Sequence, residues 1–296
     1  MRSKIIVMFL SLAMLVPSPA WAADRGALFK VTSGAHTLHL FGTMHVGKAD
    51  FYPLESRIAG AIAGASVVAF EVDPMTDPAL MAGPMRTYGM NAPGGDASRD
   101  MPAGLKARLE PVMKRAGLDM KLVEMFKPWM VTMLLGLHEY AALGYGPEMS
   151  VDMHVAKLAR TAKAFVLELE SADAQLALFG RMPRADQWRM LEESVAMIET
   201  GRQRVELDEV IHAWRNADQA MFDKVALRLE SDDSVGGKFF QKVLLEERNG
   251  PMADKLAKLL GEQKNSVAAI GALHLVGKHG LPELLRKRGL KVERVY

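Results

Sequence analysis

Two tetrapeptides of the same form, Gly-x-x-His, stand near opposite ends of the sequence. They occupy residues 42–45 and 271–274, and each directly follows an apolar run with the length of a β-strand. A glycine at the end of a strand lets the backbone turn sharply or approach a ligand closely. In α/β sheets, ligand sites favour the carboxyl ends of strands. The spacing therefore predicts that His45 and His274 lie at one edge of the same sheet.

Acidic residues follow two other apolar runs. Glu71 ends the run at 66–72, and Glu168 and Glu170 end the run at 164–169. Imidazole and carboxylate groups bind divalent metal ions, and the absence of cysteine excludes thiolate sites. The two histidines with one or two of these carboxylates predict a divalent-metal site. The alternative is a pair of histidines at the sheet edge that only cap backbone groups.

The hydrophobic pattern predicts strands at both ends of the chain and helices in its middle. The first segments indicate a hairpin at 28–31 and 37–41, then a short helix at 54–64 before the next strand. Interleaved strands and helices favour an α/β fold with a central mixed sheet flanked by helices, in which the helix-rich middle acts as a cap. Later helices are predicted at 105–116, 122–144 with a start near Pro128, 150–161, 184–201, 207–230, 236–261 and 281–287, and the last strands at 267–270 and 291–295.

The segment from 74 to 104 is rich in proline, glycine and methionine. Such a composition predicts an irregular, mobile loop rather than a packed element. Because this loop leaves the strand that carries Glu71, we expect it to gate the site. Residues 75–163 together are expected to form an irregular loop plus a helical insertion.

The first 22 residues have the pattern of a secretory signal peptide. Arg2 and Lys4 precede an apolar run at 5–16, and small residues lead up to a cut near Ala22. The run is too short for a membrane anchor. The sequence therefore predicts a periplasmic or secreted protein, one domain at 23–296, and no stable membrane insertion after processing.

Composition narrows the class of protein. The chain is 49% hydrophobic, which is enough to bury the core of one large domain. Lys and Arg number 37 and Asp and Glu 35, and removal of Arg2 and Lys4 leaves 35 of each sign. This balance excludes a strongly basic nucleic-acid-binding protein. Without cysteine the fold has no disulfides, and no lipid-modified cysteine can tether it.

The sequence also resembles the TraB/GumN family, which is related to the Tiki proteases and more remotely to erythromycin esterase-like enzymes. The resemblance extends over nearly the whole chain after the signal peptide, in order and spacing as well as in residue type. It rests on residues 40–47 (LFGTMHVG), 70–73 (FEVD), Val151-Asp152, Leu169-Glu170 with Gln175, Trp214 with Asp218, Arg248-Asn249 with Met252, and 271–277 (GALHLVG).

The resemblance implies a metal-dependent hydrolase in which His45 and His274 match the signature histidines and Glu71 a signature acid. Its branches differ: Tiki-like members resemble metalloproteases, pheromone-shutdown members suggest peptide cleavage or sequestration, and the GumN branch is linked to exopolysaccharide production. We therefore expect hydrolysis of a peptide amide or related acyl bond in a small substrate. The alternatives are a non-catalytic protein that sequesters a peptide, haem or saccharide, and an accessory protein of exopolysaccharide production.

On this basis a divalent ion, Mn²⁺, Zn²⁺ or Co²⁺, is expected between His45, His274 and one carboxylate. Such an ion lowers the pKa of a bound water and polarises a carbonyl. Glu71 is the third ligand or the general base that takes the proton of the water. Glu170 is expected nearby as a second carboxylate.

Arg248 is expected to steady a substrate carboxylate or a developing oxyanion. The alternative is an arginine on a helix surface, paired with Glu246 or Glu247. The Asn-Gly-Pro sequence at 249–251 is typical of a turn, and His279 is the reserve metal ligand.

Overall fold

A computed structural model describes residues 25–92 and 99–296. The predicted signal peptide at 1–22 and part of the 74–104 segment lie outside these residues. Within them, six strands form one sheet: β1 (Leu28–Ser33), β2 (His36–Thr43), β3 (Val67–Phe70), β4 (Phe165–Glu168), β5 (Asn265–Gly271) and β6 (Lys291–Arg294).

The sheet has the strand order β4-β3-β5-β2-β1-β6. The four strands from β4 to β2 run parallel, whereas β1 pairs antiparallel with both β2 and β6. The predicted α/β class and mixed sheet are confirmed. Because β2, β5 and β3 are parallel neighbours, their carboxyl ends meet at one edge, where the predicted site residues follow them.

Thirteen α-helices surround the sheet in the described parts of the chain. None of the helices in these parts combines the length and the apolar character needed to cross a bilayer. The thirteen helices are α1 (Ser56–Ala63), α2 (Pro78–Pro84), α3 (Leu105–Arg115), α4 (Lys121–Met125), α5 (Pro128–Ala142), α6 (Val151–Thr161), α7 (Ala172–Gly180), α8 (Arg184–Glu199), α9 (Arg202–Arg215), α10 (Gln219–Ser231), α11 (Val235–Phe239), α12 (Glu247–Glu262) and α13 (Leu281–Lys287).

The core has two main parts. The sheet packs against the helices beside it in the larger part, whereas α3, α5 and α8 enclose a separate cluster around Trp188. A small aromatic cluster lies in between, where Trp129 of α5 stacks on Phe179 of α7 with ring centroids 4.1 Å apart. The helical middle therefore has a hydrophobic core of its own.

The single helix predicted at 207–230 is wrong, because the chain forms α9 and α10 there. Ala217 between them has a positive φ of 49°. Asp218 then caps α10 by accepting a hydrogen bond from the N–H of Met221 at 3.0 Å. The apolar spacing continues across this break and therefore does not reveal it. Asp218 can be recognised as a capping residue only once Ala217 is known to leave the helix.

Two other predictions need correction, and one helix was missed. The segment at 74–104 is not irregular throughout, because α2 and a π-helical turn at Met85–Gly89 lie in it. Strand β4 exists, but it is an edge strand, and Phe165 is 66% exposed rather than buried. Helix α7 was not predicted.

Candidate functional site

The first Gly-x-x-His segment leaves the carboxyl end of β2. The indole N–H of Trp214 donates to the Gly42 carbonyl at 2.8 Å, and the N–H of Val151 donates to the Met44 carbonyl at 2.9 Å. These bonds tie the segment to α9 and to the start of α6. The side chain of His45 itself is 70% exposed.

The partner of His45 is the buried carboxylate of Asp152. Asp152 Oδ2 lies 3.0 Å from His45 Nδ1, and the Thr43 hydroxyl donates to Asp152 Oδ1 at 2.5 Å. Because a carboxylate oxygen only accepts, Nδ1 is the nitrogen that donates. The charge of Asp152 and its hydrogen bond to Nδ1 raise the pKa of His45 to about 9. The other ring nitrogen of His45, Nε2, points away from Asp152.

The second Gly-x-x-His segment forms a 3₁₀ turn, Ala272–Leu275, after β5. His274 is buried, and its Nδ1 lies 2.6 Å from Asn249 Oδ1. The Asn249 amide nitrogen donates to the His279 carbonyl at 2.8 Å, which assigns its oxygen to His274. Burial lowers the pKa of His274 to about 4, so the ring is neutral at pH 7 and its Nε2 carries a lone pair.

Glu71 follows β3 and lies between the two histidines. Its Oε1 accepts from the Gly271 N–H at 2.8 Å, and its Oε2 lies 3.7 Å from His274 Nε2. Burial opposes ionisation, but His274, His45 and Arg248 lower the pKa of Glu71 to about 2. Glu71 is therefore a fixed, ionised carboxylate.

The groups converge over Gly271. A Cβ atom on this residue would lie 3.1 Å from Glu71 Oε1, 3.4 Å from His45 Nε2 and 3.7 Å from His274 Cδ2. The missing side chain leaves space between two imidazoles and a carboxylate. The donor types and this space are compatible with a divalent ion.

Arg248 lies beside this space and contacts the same groups. Its Nη2 donates to Glu71 Oε2, and its Nη1 lies 3.1 Å from His274 Nε2. Glu170 accepts from its Nε at 3.0 Å and from its Nη2 at 2.6 Å. The amide of Gln175 donates to Glu170 at 3.0 Å. Glu170 is thus occupied with holding the guanidinium.

No three His, Asp or Glu side chains in residues 25–92 and 99–296 are arranged as a ready metal-binding group. At the site, Arg248 accounts for the absence of such a group, because its guanidinium donates to Glu71 and to His274 Nε2. A metal ion that used both groups would require Arg248 to release them.

For the helix that carries Arg248, the alternative reading of the arginine and the expected turn at 249–251 are both wrong. The surface pairing with Glu246 or Glu247 does not form, since Arg248 points to the site and Glu247 pairs with Arg181 at 2.6 Å. Residues 249–251 are not a turn but part of α12, which the chain enters through a π-helical turn at Phe240–Glu246. Pro251 lies inside this helix, where its missing N–H removes one intrahelical hydrogen bond.

The reserve ligand His279 does not join the candidate metal ligands. Its Nε2 lies 3.7 Å from Glu246 Oε1, and it supports the site through its backbone carbonyl, which holds Asn249. Glu168 is also outside the site, where it accepts from the Asp73 N–H at 2.9 Å.

Residue type and spacing did not predict which residues would lie beside the histidines. These residues are Thr43, Asp152, Asn249 and Gly271. The resemblance had singled out Asp152 and Asn249 without explaining them. A signal for Asp152 existed, because an acid at the second position of a helix that follows Ser150 is placed at the helix N-terminus. Its contact with His45 was not predictable from spacing.

Comparison with known proteins places the chain in a family. A profile of the TraB/PrgY/gumN family matches residues 27–294. The chain is 26% identical over 276 residues to "Uncharacterized protein YbaP" of Escherichia coli (strain K12), which covers 90% of this chain and 96% of that protein. The protein of the same name from Shigella flexneri matches with the same identity and coverage. No solved structure matches the chain significantly.

Proposed function

The chain belongs to the TraB/PrgY/gumN family, and on that premise we propose that it is a periplasmic metal-dependent hydrolase of peptide amide or related acyl bonds. The observation that carries the proposal is the convergence of His45 Nε2, Glu71 Oε1 and His274 over Gly271. The substrate class rests on the family resemblance, and the periplasmic location on the signal-peptide pattern at 1–22.

In this proposal His45, His274 and Glu71 would hold the divalent ion, Mn²⁺, Zn²⁺ or Co²⁺, and Nε2 of His45 would lose its proton on binding. When bound, the ion supplies Lewis-acid chemistry, which polarises a carbonyl and makes a water more acidic. Glu71 suits a ligand better than a base, because it is ionised and its Oε1 is already held by the Gly271 N–H at 2.8 Å. A base works best with a pKa near the working pH.

Arg248 and Glu170 act together in this mechanism. Glu170 orients the guanidinium through its contacts with Nε and Nη2, so its role is positioning rather than proton transfer. Once it has released Glu71 and His274 Nε2, Arg248 can donate to a substrate carboxylate or to the oxyanion that develops on the attacked carbonyl. The helical turn before it fixes the guanidinium further, since Nη1 also donates to the Leu244 carbonyl at 2.9 Å.

A second function is favoured by one observation. Arg248 satisfies Glu71 and His274 Nε2 without any added ion. A protein that sequesters a peptide, haem or saccharide without turning it over needs only such an intact pocket. This binding protein is the alternative to the hydrolase.

Metal content and peptide cleavage distinguish the two functions. Protein purified without chelator or added metal is analysed for bound metals, and its action on a peptide mixture is followed by mass spectrometry. The variants are His45→Ala, His274→Ala and, as a control, His212→Ala, an exposed histidine of α9.

The hydrolase predicts about one metal ion per chain in the wild type and in His212→Ala, and loss of metal and cleavage in the other two variants. If His45→Ala and His274→Ala both keep full metal, or if the wild type cleaves no peptide, the binding function replaces the hydrolase.

A further inference from the structure

Asp152 is a buried carboxylate with two well-formed contacts, both to the first Gly-x-x-His segment. Its Oδ1 accepts from the Thr43 hydroxyl at 2.5 Å, and its Oδ2 from His45 Nδ1 at 3.0 Å. Removing a carboxylate from water is costly unless its oxygens are hydrogen-bonded. The two contacts supply these bonds and fix the plane of the carboxylate.

His45 depends on this contact more than a buried histidine would. Its side chain is 70% exposed, so packing does little to hold the ring. The bond from Nδ1 to Asp152 leaves Nε2 directed at the space over Gly271, 3.4 Å from the position of a Cβ atom there. A rotation of the exposed ring would take Nε2 out of this space.

The backbone holds Asp152 in register with the segment it contacts. Val151 donates its N–H to the Met44 carbonyl at 2.9 Å, and Gly47 and Gly146 exchange backbone hydrogen bonds of 3.0 Å. The start of α6 is thus attached to the chain on both sides of His45. An acid in the first turn of this helix cannot move away from the histidine without breaking these bonds.

We infer that Asp152, held by Thr43, is a positioning residue that keeps Nε2 of His45 directed at the space over Gly271. The orientation of the ring does not depend on the proposed function. Only its purpose, which is to present Nε2 as a metal ligand, rests on that function. Carboxylates that bind the second nitrogen of a metal-binding histidine commonly contribute 10–100-fold to metal affinity.

The test compares Asp152→Ala with Asp152→Asn and with Asp173→Ala. Asp173 is the matched control, because it also stands two residues after a capping serine in the first turn of its helix, α7, but is exposed. The conservative variant, Asp152→Asn, retains an oxygen that can accept from Nδ1. Thr43→Val removes the hydroxyl while keeping the side-chain shape.

The first readout is the His45 ring in the metal-free protein, observed as the Nδ1–H signal by NMR and assigned by its loss in His45→Gln. The second is the affinity for Zn²⁺ and Mn²⁺ by calorimetry. Asp152→Ala should lose the protected Nδ1–H signal and about 10–100-fold in metal affinity. Asp152→Asn should keep the signal and recover much of the affinity, Thr43→Val should broaden the signal, and Asp173→Ala should match the wild type.

An Asp152→Ala protein that keeps both the signal and the affinity would overturn the inference, and so would an equal loss in Asp173→Ala. If Asp152→Ala does not fold, Asp152→Asn and Thr43→Val test the inference instead. An unchanged ring signal in Thr43→Val together with a lost signal in Asp152→Asn contradicts the inference. Absence of metal binding by the wild type contradicts the proposed function alone, because the ring signal still tests the orientation.

Discussion

The two Gly-x-x-His segments follow parallel neighbouring strands, β2 and β5, yet their histidines lie in opposite environments. His45 is open to solvent and bound to a carboxylate, whereas His274 is buried and bound to the amide of Asn249. The pKa of His45 is raised to about 9 and that of His274 is lowered to about 4. The motif thus determines where each ring lies, and the neighbouring helix, α6 or α12, determines its charge.

The largest expected effect is the difference in proton affinity between the two rings. The pKa values of about 9 and about 4 correspond to a difference of roughly 10⁵-fold in proton affinity. An NMR titration of the imidazole Cε1–H signals in metal-free protein, assigned with His45→Gln and His274→Gln, should show the two transitions far apart. If both rings titrate near 6.5, the environments are not different in the way described.

The same pKa shifts predict opposite effects of pH on stability. His274 has a lowered pKa, so the unfolded chain binds its proton first and the free energy of unfolding falls as pH decreases from 6.5 to about 4. His45 has a raised pKa, so its stabilisation is complete below 6.5 and is lost as pH rises through about 9. Denaturant unfolding across both windows, compared with each His→Gln variant, measures the two slopes. Because His45 is exposed and solvent screens its pairing with Asp152, the total change in stability across its window should be the smaller of the two.

The next effect tests whether the two segments meet at one place. Gly271→Ala puts a methyl group 3.1 Å from Glu71 Oε1, so this carboxylate must shift by a few tenths of an ångström, and the methyl group fills part of the space beside His45 Nε2. Because the methyl group takes up space that the ion would occupy, metal retention and cleavage should both fall below those of the wild type. Gly261→Ala in α12 is the control, since a Cβ atom there meets nothing within 4 Å. Equal metal retention in both variants would show that the space over Gly271 is not the binding space.

Stability separates the two histidines as well. His274→Ala leaves Asn249 Oδ1 and the surrounding buried groups without their partner, which should cost about 1–3 kcal/mol. His45→Ala removes an exposed ring and opens Asp152 Oδ2 to water, which can replace the lost hydrogen bond, so it should lower the free energy of unfolding by less than His274→Ala does. Both are measured in metal-free protein by denaturant unfolding. A larger loss for His45→Ala would reverse the comparison.

The smallest expected effect concerns the start of α6. Ser150 caps this helix by accepting from the Met153 N–H at 3.2 Å, as Ser171 caps α7 by accepting from the Ala174 N–H at 3.1 Å. Ser150→Ala and Ser171→Ala should each cost about 1 kcal/mol of stability. Only Ser150→Ala should also shift the His45 ring signal, because it loosens the turn that carries Asp152. A shift of that signal in both variants would point to a general effect of helix capping.

Much of the fold was predictable from the sequence because strands and helices have different hydrophobic periods. The hairpin, the strands before Glu71 and His274, and most helices were predicted near their observed bounds. The break at Ala217 was not, because apolar spacing continues across it. The π-helical turn at Phe240–Glu246 was missed for a similar reason, and with it the helical conformation of residues 249–251.

The sequence by itself determined that His45, Glu71 and His274 each follow a strand, whereas the parallel pairing of β2, β5 and β3, which brings the ends of these strands to one edge, is seen only in the structure. Only the tertiary structure decided which groups each of them contacts. Asp152 and Arg248 come from helices whose rotation and distance depend on packing across the whole domain, and spacing along the chain carries no information on either. For the same reason, burial and charge, which make one histidine neutral and the other cationic, are properties of the folded chain.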